Sequence, residues 1–129
     1  MLLIRKEQMA ILAEDLERRA VAAMLRHAAQ FFPVESASLG HEMVEDLAGR
    51  SRRRGRLMKW SEPSVYKYFN LCVLRGRDVG GEDWIAQTLS DPNISDPDEC
   101  ARLVYQEAIA RLRRNRLNHL ARQRFFHGE

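Results

Sequence analysis

The residues best placed by type and spacing to do chemistry are His41, Glu42 and Glu45, because His41-Glu42-Met43-Val44-Glu45 opens like the zinc-protease helix motif. In that motif two histidines one turn apart hold the metal and the glutamate serves as base. Glu45 stands where the second histidine belongs, so an ordinary exposed helix start is expected here. Asp91, Asn93 and Ser95 alternate like the first ligands of a calcium loop, but Asp96 and Arg102 fill the positions that need glycine and a bidentate glutamate. A turn followed by a helix cap accounts for the same residues. His27, His41, His119 and His127 are isolated, and no serine lies in a Gly-x-Ser-x-Gly context. Gly76, Gly80 and Gly81 lack the Walker spacing and a following Lys-Ser/Thr. No catalytic residue, metal or cofactor is therefore expected, and a protein that binds rather than an enzyme is.

Charge is patterned rather than large. The net charge is only +3. One basic segment holds Arg50, Arg52, Arg53, Arg54, Arg56 and Lys59, and a second holds Arg111, Arg113, Arg114, Arg116, Arg122 and Arg124, while acids dominate from Asp78 to Glu99. Either segment could meet nucleic acid, yet successive helical residues point about 100° apart, so Arg52-Arg53-Arg54 must spread around a helix instead of forming one stripe. The acids weaken the nucleic-acid reading further, since phosphate neutralisation wants a continuous basic surface. A solvated face, or contact with an acidic protein surface, is the expectation.

The elements that must position these groups are helices. From about Lys6 to Gln30, Met9, Leu12, Leu16, Ala20, Ala23 and His27 recur at spacings of three and four, which predicts a long amphipathic helix with those residues inward. Pro33 ends it near Phe31, and Phe31-Phe32 is expected to close one end of the core. A short segment, Glu35 to Leu39, stops at Gly40, and a helix from His41 to about Leu57 buries Met43, Val44 and Leu47, weakened by Gly49 and Gly55. Ser61 and Pro63 open the most apolar helix, carrying Val65, Tyr66, Phe69, Leu71, Cys72, Val73 and Leu74, the expected centre of the bundle. A glycine-rich connection leads to a short helix, Asp83 to Leu89, anchored by Trp84, Ile85 and Leu89. Asp96 caps a last helix from Pro97 to about Phe125, with Leu103, Val104, Ala108, Leu112 and Leu120 inward. First and last helices are long enough to pack along each other. No strand pattern or repeat intervenes.

The expected fold is therefore all-α, a single domain over residues 1–129 with long N- and C-terminal helices and shorter central ones. At 129 residues with 45% apolar composition, one compact core is within reach. Cys72 and Cys100 could pair, but two buried thiols in a reducing cytosol are the expectation; no run approaches a membrane span and the short apolar start does not read as a signal segment, so a cytoplasmic location is expected. Partner contact is expected on the last helix, at Arg113, Arg116, Leu117, Leu120, Phe125 and Phe126, because Arg and aromatic side chains are enriched at interfaces. Core packing would claim the two leucines equally well.

Phe32-Pro33, Leu39-Gly40, Ser61-Glu62 with Val65, Tyr68, Leu71 and Gly76, then Trp84-Ile85-Ala86, Leu89 and Asp91-Pro92 follow one another in an order that resembles a known family. It is that of small helical proteins encoded in bacterial type VI secretion loci, beside genes for spike proteins, toxic effectors and effector chaperones. The resemblance spans residue 1 to about 108. It departs at Leu57-Met58-Lys59-Trp60, where an aromatic-Gly segment belongs, and at Asp78 to Asp83, an Asp-rich turn in the family. The resemblance implies an accessory role, a co-chaperone binding the chaperone or adaptor that loads an effector onto the spike, with the effector or spike protein itself as further partners. It brings no catalytic or ligand residues. Other readings are a nucleic-acid-binding regulator using the arginine segments, and an immunity protein using the acidic stretch Glu82 to Glu99. The long helices could also pair between two copies.

Overall fold

The computed structural model describes the backbone of residues 2–126 and the side chains of residues 5–122. Among them the chain forms six α-helices and no strand: α1 (Leu2–Phe31), α2 (Pro33–Leu39), α3 (His41–Met58), α4 (Glu62–Arg75), α5 (Asp83–Leu89) and α6 (Pro97–Phe126), with one 3-10 turn, Val79–Gly81. The all-α architecture with long outer helices is the expected one, and among the described residues no helix is long and apolar enough to cross a membrane.

α4 is the centre. It packs on α1, α2, α3, α6 and the 3-10 turn, because its apolar residues surround it instead of forming one stripe. Phe69 and Cys72 are fully enclosed, with Val65, Tyr68, Leu71 and Val73 nearly so. Burying one such large side chain contributes roughly 1.5–3 kcal/mol. Around them stand Met24 and Ala28 of α1, Val44, Leu47 and Ala48 of α3, Ile85 of α5, and Ala101, Val104 and Ala108 of α6.

Gly55 does not simply weaken α3. It is buried where α3 crosses α4, and a Cβ there would lie 2.5 Å from Val65 Cγ2. The missing side chain lets the two helices approach. α3 then ends on Lys59 in the left-handed conformation (φ 60°), which turns Trp60 into the core, and α4 ends on Gly76 (φ 72°). Ser61 begins α4 without capping it: its hydroxyl faces Ser64 and Asp98, not the free amides of its own helix. Asp96 does act as a turn-former for α6, accepting from the Asp98 amide at 3.0 Å.

Several inward assignments are overturned. Met9, Leu12 and Leu16 are 69%, 57% and 55% exposed, and only their continuation, Ala20, Ala23 and His27, is half-buried. Met43, Leu112, Leu120 and Phe31 are exposed as well. The reason is common to the two long helices: each extends beyond the body it packs on. α1 lies on α2, α3 and α4, whereas α6 lies on α4 and α5, so they do not run along each other. α1 leaves the body beside the start of α4, where Glu17 and Glu62 share Arg52. α6 enters at that same end, Asp98 against Ser61, and leaves beyond Arg111, which stacks on Trp84 of α5. The projecting halves are arms at opposite ends of one bundle.

Candidate partner-binding face

Helical geometry separates two faces of α6. At about 100° per residue, Cys100, Ala101, Val104 and Ala108 form the stripe that enters the core, and all four are buried. The same period puts Arg113, Arg116, Leu117 and Leu120 within an arc of roughly 100° on nearly the opposite side. The core therefore does not claim Leu117 and Leu120, which are 66% and 45% exposed. From Leu112 to Arg122 every residue is exposed. Phe125 and Phe126, the other two expected contact residues, lie outside the residues whose side chains are described.

The arginines of this helix divide by task. Arg111 lies 4.3 Å over the Trp84 ring and donates to Glu107 at 3.0 Å, and Arg114 reaches the same carboxylate at 3.1 Å. Those two guanidinium groups hold the Glu107 carboxyl below the ordinary carboxylate value. Arg113, Arg116 and Arg122 have no acidic partner among the described residues. From Ala108 to Gly128 the sequence holds six arginines and no carboxylate. The outward face is thus two leucines beside cations that the protein itself does not neutralise.

The first arginine segment is different. Arg52 donates to Glu17 at 2.8 Å and approaches Glu62 at 3.5 Å, Arg56 stands 3.3 Å from Glu17, and Arg50 pairs with Asp46 at 2.8 Å. The Arg52 hydrogen bond, more than any other influence, holds the Glu17 carboxyl below its usual range. Arg54 packs over the Tyr68 ring, 5.5 Å from its centre. The sequence marked these residues as a patch, yet Arg52, Arg54 and Arg56 tie α3 to α1 and α4, while Arg50 pairs within α3.

The other candidate sites resolve into local structure. His27 is held by Asn70 at 2.8 Å and by the rings of Phe31, Phe32 and Tyr66, and His41 pairs with Glu45 at 3.4 Å along one helix. Asp91 accepts from the Asn93 amide at 2.9 Å, a turn. Among the described residues no three His, Cys, Asp or Glu side chains are grouped to hold a metal ion. The acidic stretch is engaged internally: Glu82 with Arg75 and Arg77, Asp98 with Ser61 and Ser64, Glu99 with Arg102.

A polar cluster that spacing did not reveal joins the 3-10 turn to the core. The Tyr68 hydroxyl and the Gly80 amide both donate to Asp78 Oδ1. A Cβ on Gly80 would meet Arg54 at 2.5 Å and the Tyr68 hydroxyl at 2.6 Å, so a larger residue there must displace the ends of those two side chains. Its sequence signal is the Gly80-Gly81 pair beside Asp78. No family model, curated protein or solved structure matches this chain.

Proposed function

We propose that this protein is a non-enzymatic, cytoplasmic accessory protein of a bacterial type VI secretion locus. It binds an effector chaperone or adaptor through the outward face of the α6 arm and so assists effector loading. The observation that carries the binding role is the placement of Leu117 and Leu120 with Arg113 and Arg116 on the side of α6 turned away from its core stripe. Exposed leucines flanked by unneutralised arginines match the composition of an interface centre with a steering rim. The secretion context comes from the ordered motifs between Phe32 and Pro92.

The test is co-purification with the chaperone encoded beside it. Recovery of one chaperone in fixed stoichiometry is expected, with affinity at least tenfold weaker, about 1.4 kcal/mol, when Arg113 and Arg116 are both changed to Glu. Unchanged affinity in that variant removes the face. A nucleic-acid-binding regulator is the second reading, favoured by the carboxylate-free run after Glu107. It requires duplex binding that tightens as salt is lowered.

A further inference from the structure

The outer side of α1 carries a second unpartnered stripe, distinct from Met9, Leu12 and Leu16. Ile11, Asp15, Arg18, Ala22, Leu25 and Ala29 recur at alternating spacings of four and three, the period of one continuous helix face. Its inner part is the floor of two adjoining hollows, of about 420 and 320 Å³, that share Leu25 and His41 and are walled by α2 and α3. The walls are small and apolar, Val21, Ala22, Ala29, Ala37 and Val44 among them. Such walls admit a helix closely. Its outer part runs along the α1 arm, where Ile11 is 65% exposed.

The charges along this stripe are the complement of those on the α6 arm. Glu7, Glu14 and Glu42 have no cationic partner among the described residues, and Glu45 has only His41. The cations beside it include Arg18 and Arg19, 3.9 and 3.0 Å from Asp15, and Arg53. Arg113 and Arg116 on the outward face of the α6 arm equally lack carboxylates. The stripe from Ile11 to Ala29 spans roughly 27 Å, room enough for the described arm beyond Arg111 at roughly 15 Å. The arm cannot reach its own stripe, because α6 is one unbroken helix leaving the opposite end of the bundle.

We infer that the α6 arm of one copy docks on the α1 stripe of a second copy. Leu117 and Leu120 enter the alanine-walled hollow while Arg113 and Arg116, on the same face of α6, meet the carboxylates of Glu14, Glu42 and Glu45. The two surfaces differ, so the contact is heterologous and each added copy offers a fresh arm and a fresh stripe. Chaperone and second copy then compete for the same arm, although self-association itself does not depend on any chaperone.

The experiment uses the purified protein alone, so its outcome is separate from whether a chaperone is captured. Sedimentation equilibrium of the full chain is expected to give a mass that rises with concentration from 15.0 kDa past that of a dimer, and to fall back as salt is added. An arm variant (L117E/L120E) and a stripe variant (E14R/A22R) alter exposed or half-buried positions, and unchanged helicity by circular dichroism checks their fold. Each is expected to stay monomeric. Mixed together they are expected to form a dimer and nothing larger, since one intact arm and one intact stripe remain. A wild type that stays monomeric at all concentrations overturns the inference. So does a mixture that fails to pair, or variants that associate as the wild type does.

Discussion

The carboxylate of Asp98, at the start of α6, accepts a 2.7 Å hydrogen bond from the hydroxyl of Ser64, in the first turn of α4. The same oxygen accepts from the Ser61 amide at 2.8 Å and its hydroxyl at 3.0 Å. One side chain thereby fixes the two helices start to start.

That arrangement makes stability acid-sensitive. The Ser64 hydroxyl first, then the Ser61 amide and hydroxyl, hold the Asp98 carboxyl below its ordinary 3.8. A lowered folded value means the contribution is fully present above 3.8 and is lost as pH falls through the folded value. Asp98→Asn is expected to be less stable than wild type to urea near neutral pH, and the difference is expected to shrink in strongly acidic buffer. A pH-independent difference would contradict this origin.

Tyr68→Phe removes the hydroxyl that donates to Asp78 while keeping the ring that Arg54 covers. Asp78 keeps the Gly80 amide, so the loss is expected at about 1–3 kcal/mol in a urea titration. Burial and the Asp78 carboxylate both push the Tyr68 hydroxyl far above its normal range, so alkaline difference spectra should show it ionising only on unfolding.

Gly55→Ala places a methyl 2.5 Å from Val65 Cγ2. Overpacking of this kind costs about 1–3 kcal/mol. The double variant with Val65→Ala is expected to cost less than the sum of the two single variants, because the methyl then occupies space the valine vacates.

Both thiols are free and buried. Burial pushes Cys72 up to about 12 and raises Cys100, whose Sγ donates to the Thr88 carbonyl at 3.2 Å. Ellman's reagent is expected to label neither in the native protein and both in denaturant, since the thiolate is the reacting form.

Helix positions were legible in the sequence because capping and turn residues act locally: Pro33, Gly40, Gly76 and Pro97 each mark a boundary that the structure keeps. Which residues lie inside was legible only where a helix has neighbours on its apolar side. Met9 and Leu12 carry the same periodicity as Ala23 and His27, yet periodicity does not report how far the body extends. The arginine segments were ambiguous for a related reason. Arg52 and Arg116 look alike in sequence, and only the fold brings Glu17 and Glu62 to the first. Arg113, Arg116, Leu117 and Leu120 were singled out by residue type, and their direction relative to the core depends on which stripe of α6 the body claims.

Because α6 is a single rod bedded along its first half, it has no hinge to absorb a load applied to the tip. A pull on Leu117 or Leu120 is transmitted as torque to the seats of Val104 and Ala108, with Glu107 and its two arginines at the fulcrum. Whatever grips the arm therefore also has mechanical leverage over the packing of α4 and α5.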